Sequence, residues 1–399
     1  MADKTSGRLK TAALLSGGSA RSAISSFIVM DVMRAAQAAE RTGRSIIHME
    51  VGQPGTPAPK AAREAVKRAL DSETLGYTMA LGNDSLRERI ARHYRDAYGV
   101  SVRPERIAVT CGSSGAFVLA FLALFDVGDV VALPSPGYPC YRHILTALGQ
   151  RSVLLETGPE SEWMPTGDDV ARAAVRDGIK GLLIASPANP TGTMVSAERL
   201  GDLVRACGEH GVALISDEIY HGLTYGRPAT TALAMSEDAI VINSFSKYFS
   251  MTGWRIGWMV MPQQIIRSVE RLAQNLFISP PAIAQVAALG SFDAQDELEA
   301  NRSVYAANRA LLLKELPKAG FCNFAAPDGA FYLYCDVSHL TADASELART
   351  LLDEAGVAVT PGVDFDAERG NRFLRFSYAG TTADMAEAAR RLQAWASLR

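Results

Sequence analysis

The most informative chemical segment of the sequence spans residues 244–257 and contains Lys247. Ser244 and Ser246 precede the lysine, and Arg255 follows it eight residues later. Because the segment follows a predicted buried strand, we expect Lys247 at a strand end facing a cleft, where open α/β sheets bind ligands. Hydroxyl groups and a bidentate cation are suitable phosphate ligands, and a buried lysine amine can form a Schiff base.

Two other interpretations compete for this lysine. A single lysine is most often exposed on a surface loop. The Ser244-x-x-Lys247 spacing also matches the S-x-x-K pattern of some serine hydrolases, but the companion S-D-N and K-T-G triplets are absent from the sequence. The phosphate-bound Schiff base is favoured because other strand ends carry residues that suit the same chemistry.

Two further strand ends carry polar residues. Asn189 lies in the turn Asn189-Pro190-Thr191-Gly192 after one predicted strand, and Asp217 and Tyr220 follow the next strand. Taken alone, such a turn is common, and an aspartate at a strand end is often a helix cap. Together with Lys247, in this order and spacing, these residues predict one shared binding site.

The turn Gly112-Ser113-Ser114-Gly115 joins another predicted strand to an apolar helix. Backbone N–H groups at the start of a helix attract anions. Ser113 and Ser114 therefore predict a phosphate site, and the same turn also caps a core helix.

The elements that must position these residues are short β-rich runs that alternate with helical stretches between residues 106 and 261. Nearly continuous apolar strands between helices are typical of a mostly parallel sheet covered on both faces. We predict strands over residues 106–111, 130–133, 152–155, 181–185, 212–216, 240–243 and 256–260.

At 399 residues the chain is long enough for two domains that share a cleft. We predict an N-terminal arm and helix over residues 1–51 that joins the small domain, a large site-bearing domain over 52–290, and a small C-terminal domain over 291–399. Residues 1–20 are rich in glycine and serine and are predicted to be mobile. Residues 282–316 are predicted to form one long helix.

Composition excludes several classes of function. Forty Lys and Arg against 43 Asp and Glu, without a block of either sign, argue against nucleic acid or a membrane as the main partner. Five scattered cysteines suit a reducing cytoplasm, and we find no export signal. The longest apolar run, residues 115–125, is too short to span a bilayer. Cys207-x-x-His210 lacks a second ligand pair, so we predict no metal.

The set of motifs resembles the class I/II aminotransferases of the fold-type I pyridoxal 5'-phosphate enzymes over essentially the whole chain. Besides the segments above, the match includes Val51-Gly52-Gln53-Pro54, Gly253-x-Arg255-x-Gly257 and Arg372-x-x-Leu374-Arg375. The resemblance implies a large domain with a mostly parallel sheet between helices, plus a smaller α/β domain. It also implies a pyridoxal phosphate-dependent aminotransferase that moves an amino group from an L-amino acid to a 2-oxo acid by a ping-pong mechanism.

The resemblance further implies a role for each site residue. Lys247 would hold the cofactor as a Schiff base and move a proton at the substrate Cα, while Asp217 would face the ring nitrogen of the cofactor. Asn189 and Tyr220 would hydrogen-bond its ring oxygen. Tyr138 would stack on the ring.

The same resemblance assigns the phosphate group to one arginine and a set of hydroxyl groups: Ser113, Ser114, Ser244, Ser246 and Arg255. Tyr77, in Gly76-Tyr77-Thr78, corresponds to a tyrosine that reaches the phosphate of the neighbouring subunit, which implies a homodimer with shared active sites. Arg375 corresponds to the arginine that binds the substrate α-carboxylate, next to Gly52 and Asn189.

The sequence leaves the substrate pair open. The aspartate-using bacterial branch of the family has a lysine where this chain has Ser114, so aspartate is not the expected donor. Phe27, Ile28 and Tyr138 are expected to line an apolar pocket that suits alanine, aromatic, methionine or branched donors. A C–S β-lyase or a decarboxylating synthase on the same fold is the alternative. A DNA-binding regulator is disfavoured because the residues before Gly52 are too few and too weakly charged for a winged helix.

Overall fold

The computed structural model describes residues 18–399, so most of the N-terminal segment predicted to be mobile lies outside the described residues. In chain order, the α-helices α1–α12 span Ile28–Arg41, Lys60–Ser72, Asp84–Tyr98, Gly112–Leu124, Cys140–Leu148, Gly167–Asp177, Ala197–His210, Ile266–Leu276, Ala282–Ser291, Gln295–Glu315, Ala344–Thr350 and Thr382–Ala396. The strands β1–β13 span Ile47–His48, Ile107–Thr110, Val130–Ser135, Arg151–Glu156, Gly181–Ala185, Ala213–Asp217, Ile240–Ser244, Gly257–Val260, Asn323–Phe324, Tyr332–Asp336, Val357–Ala358, Thr360–Pro361 and Phe373–Ser377.

A seven-stranded sheet with the order β2-β8-β7-β6-β5-β3-β4 lies at the centre of the molecule. Strands β3 to β7 pair in parallel, whereas β8 is antiparallel to both β2 and β7. The predicted α/β fold with a mostly parallel sheet is therefore confirmed. Each of the seven predicted strands forms, with ends within two residues of the prediction.

The apolar runs of these strands supply hydrophobic core residues on both faces of the sheet. In β5, Leu182 and Ile184 join the core cluster on one face, while Leu183 joins the cluster on the other. Successive side chains of a strand point to opposite faces, so a strand covered on both sides must be apolar throughout. The carboxyl ends of the parallel strands consequently meet at one edge, where polar residues can converge.

The C-terminal region forms a second, antiparallel sheet with the order β12-β13-β10-β9. The N-terminal segment attaches to this region, because β1 pairs in parallel with β11 and the backbone N–H groups of Ile28 and Val29 donate to the Asp364 carboxylate. These contacts agree with an N-terminal arm that joins the small domain, although the exact domain limits stay a prediction.

The predicted single helix over residues 282–316 is wrong, because two helices, α9 and α10, occupy this stretch. The chain leaves helical geometry after Ser291, and Phe292 turns into an aromatic cluster with Phe245 and Phe249 at centroid distances of 5.5 and 5.1 Å. Burial of an aromatic ring offsets the lost helical hydrogen bonds. None of the described helices is long and apolar enough to cross a membrane.

Candidate active site

A cavity of about 200 Å³ lies at the carboxyl ends of β5, β6 and β7, where the N-terminal segment and the small sheet cover the central sheet. All but two of the predicted site residues line it: Gly52, Ser113, Ser114, Tyr138, Asn189, Asp217, Tyr220, Ser246, Lys247, Arg255 and Arg375. Residues that are far apart in sequence thus meet in one place. Ser244 and Tyr77 are not among the lining residues.

Lys247 follows β7 by three residues, and its Nζ donates a hydrogen bond to the Gly52 carbonyl oxygen at 2.5 Å. Burial, together with the nearby cations Arg375 and Arg255, lowers the pKa of Lys247 to about 8, while Asp217 acts in the opposite direction. A lysine with this pKa is still mostly protonated at pH 7, but its neutral fraction is far larger than that of an exposed lysine, and a nucleophile or a base requires the neutral form.

Asp217 is the last residue of β6 and is held by two hydrogen bonds. Its Oδ2 accepts from the Tyr141 hydroxyl group, and its Oδ1 accepts from the Ile219 backbone N–H at 3.1 Å. Burial raises the pKa of Asp217 to about 6, and both hydrogen bonds favour the carboxylate and oppose that rise. The carboxylate is therefore kept ionised at neutral pH in a buried position.

The start of α4 and the loop after β7 approach each other at one side of the cavity and bring serine hydroxyl groups and Arg255 together. Gly112 has φ +69°, and a Cβ atom built there would overlap the guanidinium group of Arg255. Ser246 lines the cavity, whereas the Ser244 hydroxyl group lies behind it, 2.8 Å from Ser246 Oγ, and donates to the Ile256 carbonyl oxygen. Ser244 therefore holds Ser246 in place, and its own contact with a phosphate stays a prediction.

Arg375, on β13, lines the same cavity and is almost completely buried. Its Nη1 donates to Asn189 Oδ1 at 2.8 Å, and its Nη2 donates to the Glu50 carbonyl oxygen. Its Nε has no hydrogen-bond partner among residues 18–399. A buried guanidinium group bonded only to neutral acceptors is suited to receive an anionic ligand.

Two tyrosines of the site were not among the predicted residues. Tyr141 donates to Asp217, and the Tyr332 hydroxyl group lies 2.7 Å from that of Tyr220. The position of Tyr141 close to Tyr138 was the only sequence signal for it. Tyr332 lies in a strand of the other sheet and carries no local signal at all.

One expectation about residue placement, that for Ile28, needs adjustment. Ile28 does not line the cavity but faces a separate apolar cavity with Val32 and Leu352, and Val29 and Met30 line the site together with Phe27. The start of α1 is a helical turn, so adjacent residues face different sides. Tyr77 is 86% exposed, so within one subunit it does not contact its own cavity.

The residues of the cavity fit pyridoxal phosphate. A helix N-terminus, a guanidinium group and serine hydroxyl groups suit the phosphate, and the close approach of Arg255 requires the glycine at position 112. The buried carboxylate of Asp217 suits a protonated ring nitrogen, and Lys247 has the lowered pKa that covalent attachment requires.

Comparison with known proteins agrees with this fit. The family model described as aminotransferase class I and II matches residues 44–392. A valine–pyruvate aminotransferase from Mycobacterium tuberculosis is 45% identical over 94% of this chain and 97% of that protein. Among solved structures, an aminotransferase from Mycobacterium tuberculosis is 44% identical with a TM-score of 0.93, covering 96% of this chain and 99% of that one. Aspartate aminotransferase from Thermus thermophilus with maleate is 33% identical with a TM-score of 0.89, covering 95% and 99%.

Proposed function

The chain belongs to the class I and II aminotransferase family, and we propose that its donor is a small apolar L-amino acid such as valine or alanine and its acceptor a 2-oxo acid such as pyruvate. It is a pyridoxal phosphate-dependent aminotransferase, a transferase of amino groups. The observation that carries the substrate proposal is the group of apolar side chains, Phe27, Val29 and Met30, that line the same cavity as Arg375. The name of the 45% identical relative, valine–pyruvate aminotransferase, supports the same pair.

The donor side chain is proposed to lie against the first residues of α1. Phe27, Val29 and Met30 enter the cavity there, and the ring of Phe27 meets the ring of Tyr138 edge-on at 5.8 Å. Burying an unpaired carboxylate among apolar side chains is costly, whereas a branched aliphatic group is stabilised by the same contacts. This lining therefore favours valine or alanine over aspartate.

The cations of the cavity support the same choice. Among the described residues that line it, the cations are Lys247, Arg255 and Arg375. We assign them to the cofactor linkage, the phosphate and the substrate α-carboxylate, so none is left for a second carboxylate. Ser114 lines the cavity where the aspartate-using branch of the family has a lysine.

The contacts support a role for each residue. Bound pyridoxal phosphate supplies a ring that withdraws electrons from the bonds at the substrate Cα. We propose that Lys247, with its pKa near 8, holds the cofactor and moves the Cα proton, and that Asp217 keeps the ring nitrogen protonated. Asn189 and Tyr220 are proposed to bind the ring oxygen, since both are buried and line the cavity.

We further propose that the active unit is a homodimer located in the cytoplasm. Tyr77, Met79, Leu276 and Ile278 form an exposed apolar patch, and the two segments that carry it are joined by a hydrogen bond from the Thr78 backbone N–H to Ser279 Oγ. Exposed apolar side chains in such numbers mark protein interfaces. All five cysteines are free, which supports a reducing compartment.

The proposal is tested with purified holoenzyme and single amino acids, by following pyridoxamine phosphate formation in single-turnover reactions. Valine and alanine should react with a kcat/KM at least about tenfold above that of aspartate. A Ser114→Lys variant adds the missing cation and should raise aspartate use. Parallel initial-rate plots with pyruvate would support the ping-pong order. Equal use of aspartate and valine by the unaltered enzyme would contradict the substrate proposal.

A further inference from the structure

Tyr332 contacts two residues of the proposed active site, Tyr220 and Arg375. Its hydroxyl group lies 2.7 Å from the hydroxyl group of Tyr220, and the Cζ atom of Arg375 lies 4.4 Å from the centre of its ring. Tyr332 lines the cavity and begins β10, whose Tyr334 pairs across the sheet with Arg375. One side chain thus joins the residue proposed for the cofactor ring oxygen to the residue proposed for the substrate carboxylate.

Gly52 makes this position of Tyr332 possible. A Cβ atom built at Gly52 would overlap the Tyr332 hydroxyl group. The carbonyl oxygen of the same glycine accepts the hydrogen bond from Lys247 Nζ. A side chain at position 52 would therefore push Tyr332 away from Tyr220 at the point where the lysine is also held.

The direction of the hydrogen bond between the two tyrosines follows from counting protons. Each phenol has one O–H donor and two acceptor lone pairs. Burial raises the pKa of both hydroxyl groups, so each keeps its proton at neutral pH. If Tyr220 gives its single proton to the ring oxygen of the cofactor, it can only accept from Tyr332, which must be the donor.

We infer that Tyr332 is a positioning residue for Tyr220: its hydroxyl group donates to Tyr220 and thereby directs the Tyr220 proton towards the cofactor ring oxygen. The inference rests on the proposed role of Tyr220. Hydrogen bonds in a chain polarise one another, so donation from Tyr332 makes Tyr220 a stronger donor. A stronger donor stabilises the anionic ring oxygen, which lowers the pKa of the Lys247–cofactor linkage.

The test is a double-mutant cycle on the holoenzyme with Tyr332→Phe, Tyr220→Phe and the double variant. The readout is the pKa of the bound cofactor, obtained from its absorbance as a function of pH. Tyr332→Phe keeps the ring on Arg375 and should raise this pKa by roughly 0.5–1 unit. In the Tyr220→Phe background the same substitution should leave the pKa unchanged, because there is no hydroxyl group left to orient.

Tyr334→Phe is the matched control. Tyr334 lies on the same strand and is equally buried, but its hydroxyl group has no hydrogen-bond partner among the described residues. The Tyr334→Phe variant should not shift the cofactor pKa. In the Tyr332→Phe variant, the KM for the amino donor should change less than about threefold, because the contact with Arg375 remains. Equal shifts from Tyr332→Phe in both backgrounds, or no shift in the unaltered background, would overturn the inference. A Tyr220→Phe variant with an unchanged cofactor pKa would instead remove the proposed role of Tyr220, and this inference with it.

Discussion

At the scale of single residues, Arg375 has a geometry that lysine cannot reproduce. It donates from Nη1 to Asn189 and from Nη2 to the Glu50 carbonyl oxygen, and it is only 2% exposed. A planar guanidinium group can bind both oxygens of a carboxylate and so fix the direction of the substrate Cα–H bond. Binding and orientation therefore depend on one side chain.

Arg375→Lys should lower kcat/KM for amino acids on the order of tenfold to a hundredfold or more, since hydrogen bonds to charged groups contribute about 1.5–3 kcal/mol each. The cofactor should stay bound, because Arg375 reaches the proposed cofactor site only through its hydrogen bond to Asn189. Arg372→Lys is the control, as Arg372 is exposed and pairs with Asp336. Steady-state kinetics and absorbance spectra check the prediction. Full activity, or loss of the cofactor, would contradict the carboxylate role.

Tyr141→Phe should move the acidic limb of the kcat/KM profile to higher pH. Burial already raises the pKa of Asp217 to about 6, and the Tyr141 hydroxyl group opposes that rise by donating to the carboxylate. Without this donor, the pKa of Asp217 increases, and the carboxylate becomes protonated at a higher pH. A shift of about one unit is expected from the loss of one charge-assisted hydrogen bond.

The pH dependence of kcat/KM from pH 5 to 9 measures this effect. Tyr138→Phe is the matched control. The ring of Tyr138 meets the ring of Tyr141 edge-on at 5.2 Å. Among the described hydrogen bonds, however, the tyrosine hydroxyl group that donates to Asp217 is that of Tyr141. An acidic limb that stays in place in Tyr141→Phe would rule out this effect of Tyr141 on Asp217.

The site residues differ in how far the sequence alone could predict them. Lys247, Asn189 and Asp217 could be predicted because each lies in a local motif at a strand end. Tyr332 could not, since it meets Tyr220 only after β10 of the small sheet packs against the large one. Ser244 was predicted to bind phosphate from its place beside Lys247 and from the family resemblance, and the sequence did not reveal that its hydroxyl group would also bond to that of Ser246.

At the scale of elements, the first turn of α4 is shaped by a single glycine. Gly112 has φ +69°, a region that L-residues with a side chain rarely adopt, and a Cβ atom there would overlap the Arg255 guanidinium group. The helix start and Arg255 can approach each other only when residue 112 has no side chain. The predicted phosphate site depends on this approach.

Gly112→Ala should therefore weaken cofactor retention at least about tenfold, in addition to a backbone cost of about 1–2 kcal/mol. Gly99→Ala is the matched control, because Gly99 has the same φ of +69° and no atom within 4 Å of a Cβ built there. It should lower stability by a similar amount without affecting cofactor binding. Dialysis against buffer without cofactor, with thermal midpoints measured in parallel, separates the two effects. Equal cofactor loss in both variants would contradict a specific role for Gly112.

Element boundaries were predictable where an apolar run defines a strand, and unpredictable where packing ends a helix. The strands of the central sheet are continuous apolar runs between polar turns, so their ends can be read within two residues. The break between α9 and α10 has no proline; it follows Gly290 and Ser291, and Phe292 packs there against Phe245 and Phe249. Such a contact becomes visible only after the aromatic residues of other elements are placed.

At the scale of the whole molecule, the exposed apolar patch gives a direct test of the proposed dimer. Met79 is 68% exposed and Ile278 is 54% exposed, in segments that lie side by side. Met79→Asp combined with Ile278→Asp should dissociate the dimer, because a buried unpaired carboxylate at an interface is costly. Val175→Asp is the control, since Val175 is 83% exposed on α6 and lies outside the patch. Sedimentation analysis that finds the double variant still dimeric would contradict this interface.

Whether the dimer completes each active site depends on Tyr77. Its side chain is 86% exposed and does not line the cavity of its own subunit, yet the family pattern places this tyrosine at a phosphate. The exposure of Tyr77 and the family resemblance are both accounted for if Tyr77 of one subunit enters the site of the other, as we propose. A chain with Tyr77→Phe then has weakened phosphate contacts at both sites of its homodimer, and a chain with Lys247→Ala has no covalent linkage.

Mixing these two chains should produce hybrid dimers in which one site combines an intact Lys247 with the partner's intact Tyr77. Cofactor affinity at that site should return to the level of the unaltered enzyme, while the other site lacks both groups. Titration of the mixture with pyridoxal phosphate should therefore reveal a class of tight sites that is absent from the Tyr77→Phe homodimer. This restoration requires two chains, because no single subunit in the mixture contains both residues. If the cofactor affinity is unchanged after subunit exchange, Tyr77 does not act across the subunit boundary. Full activity in a monomer would likewise show that the site needs no tyrosine from a partner subunit.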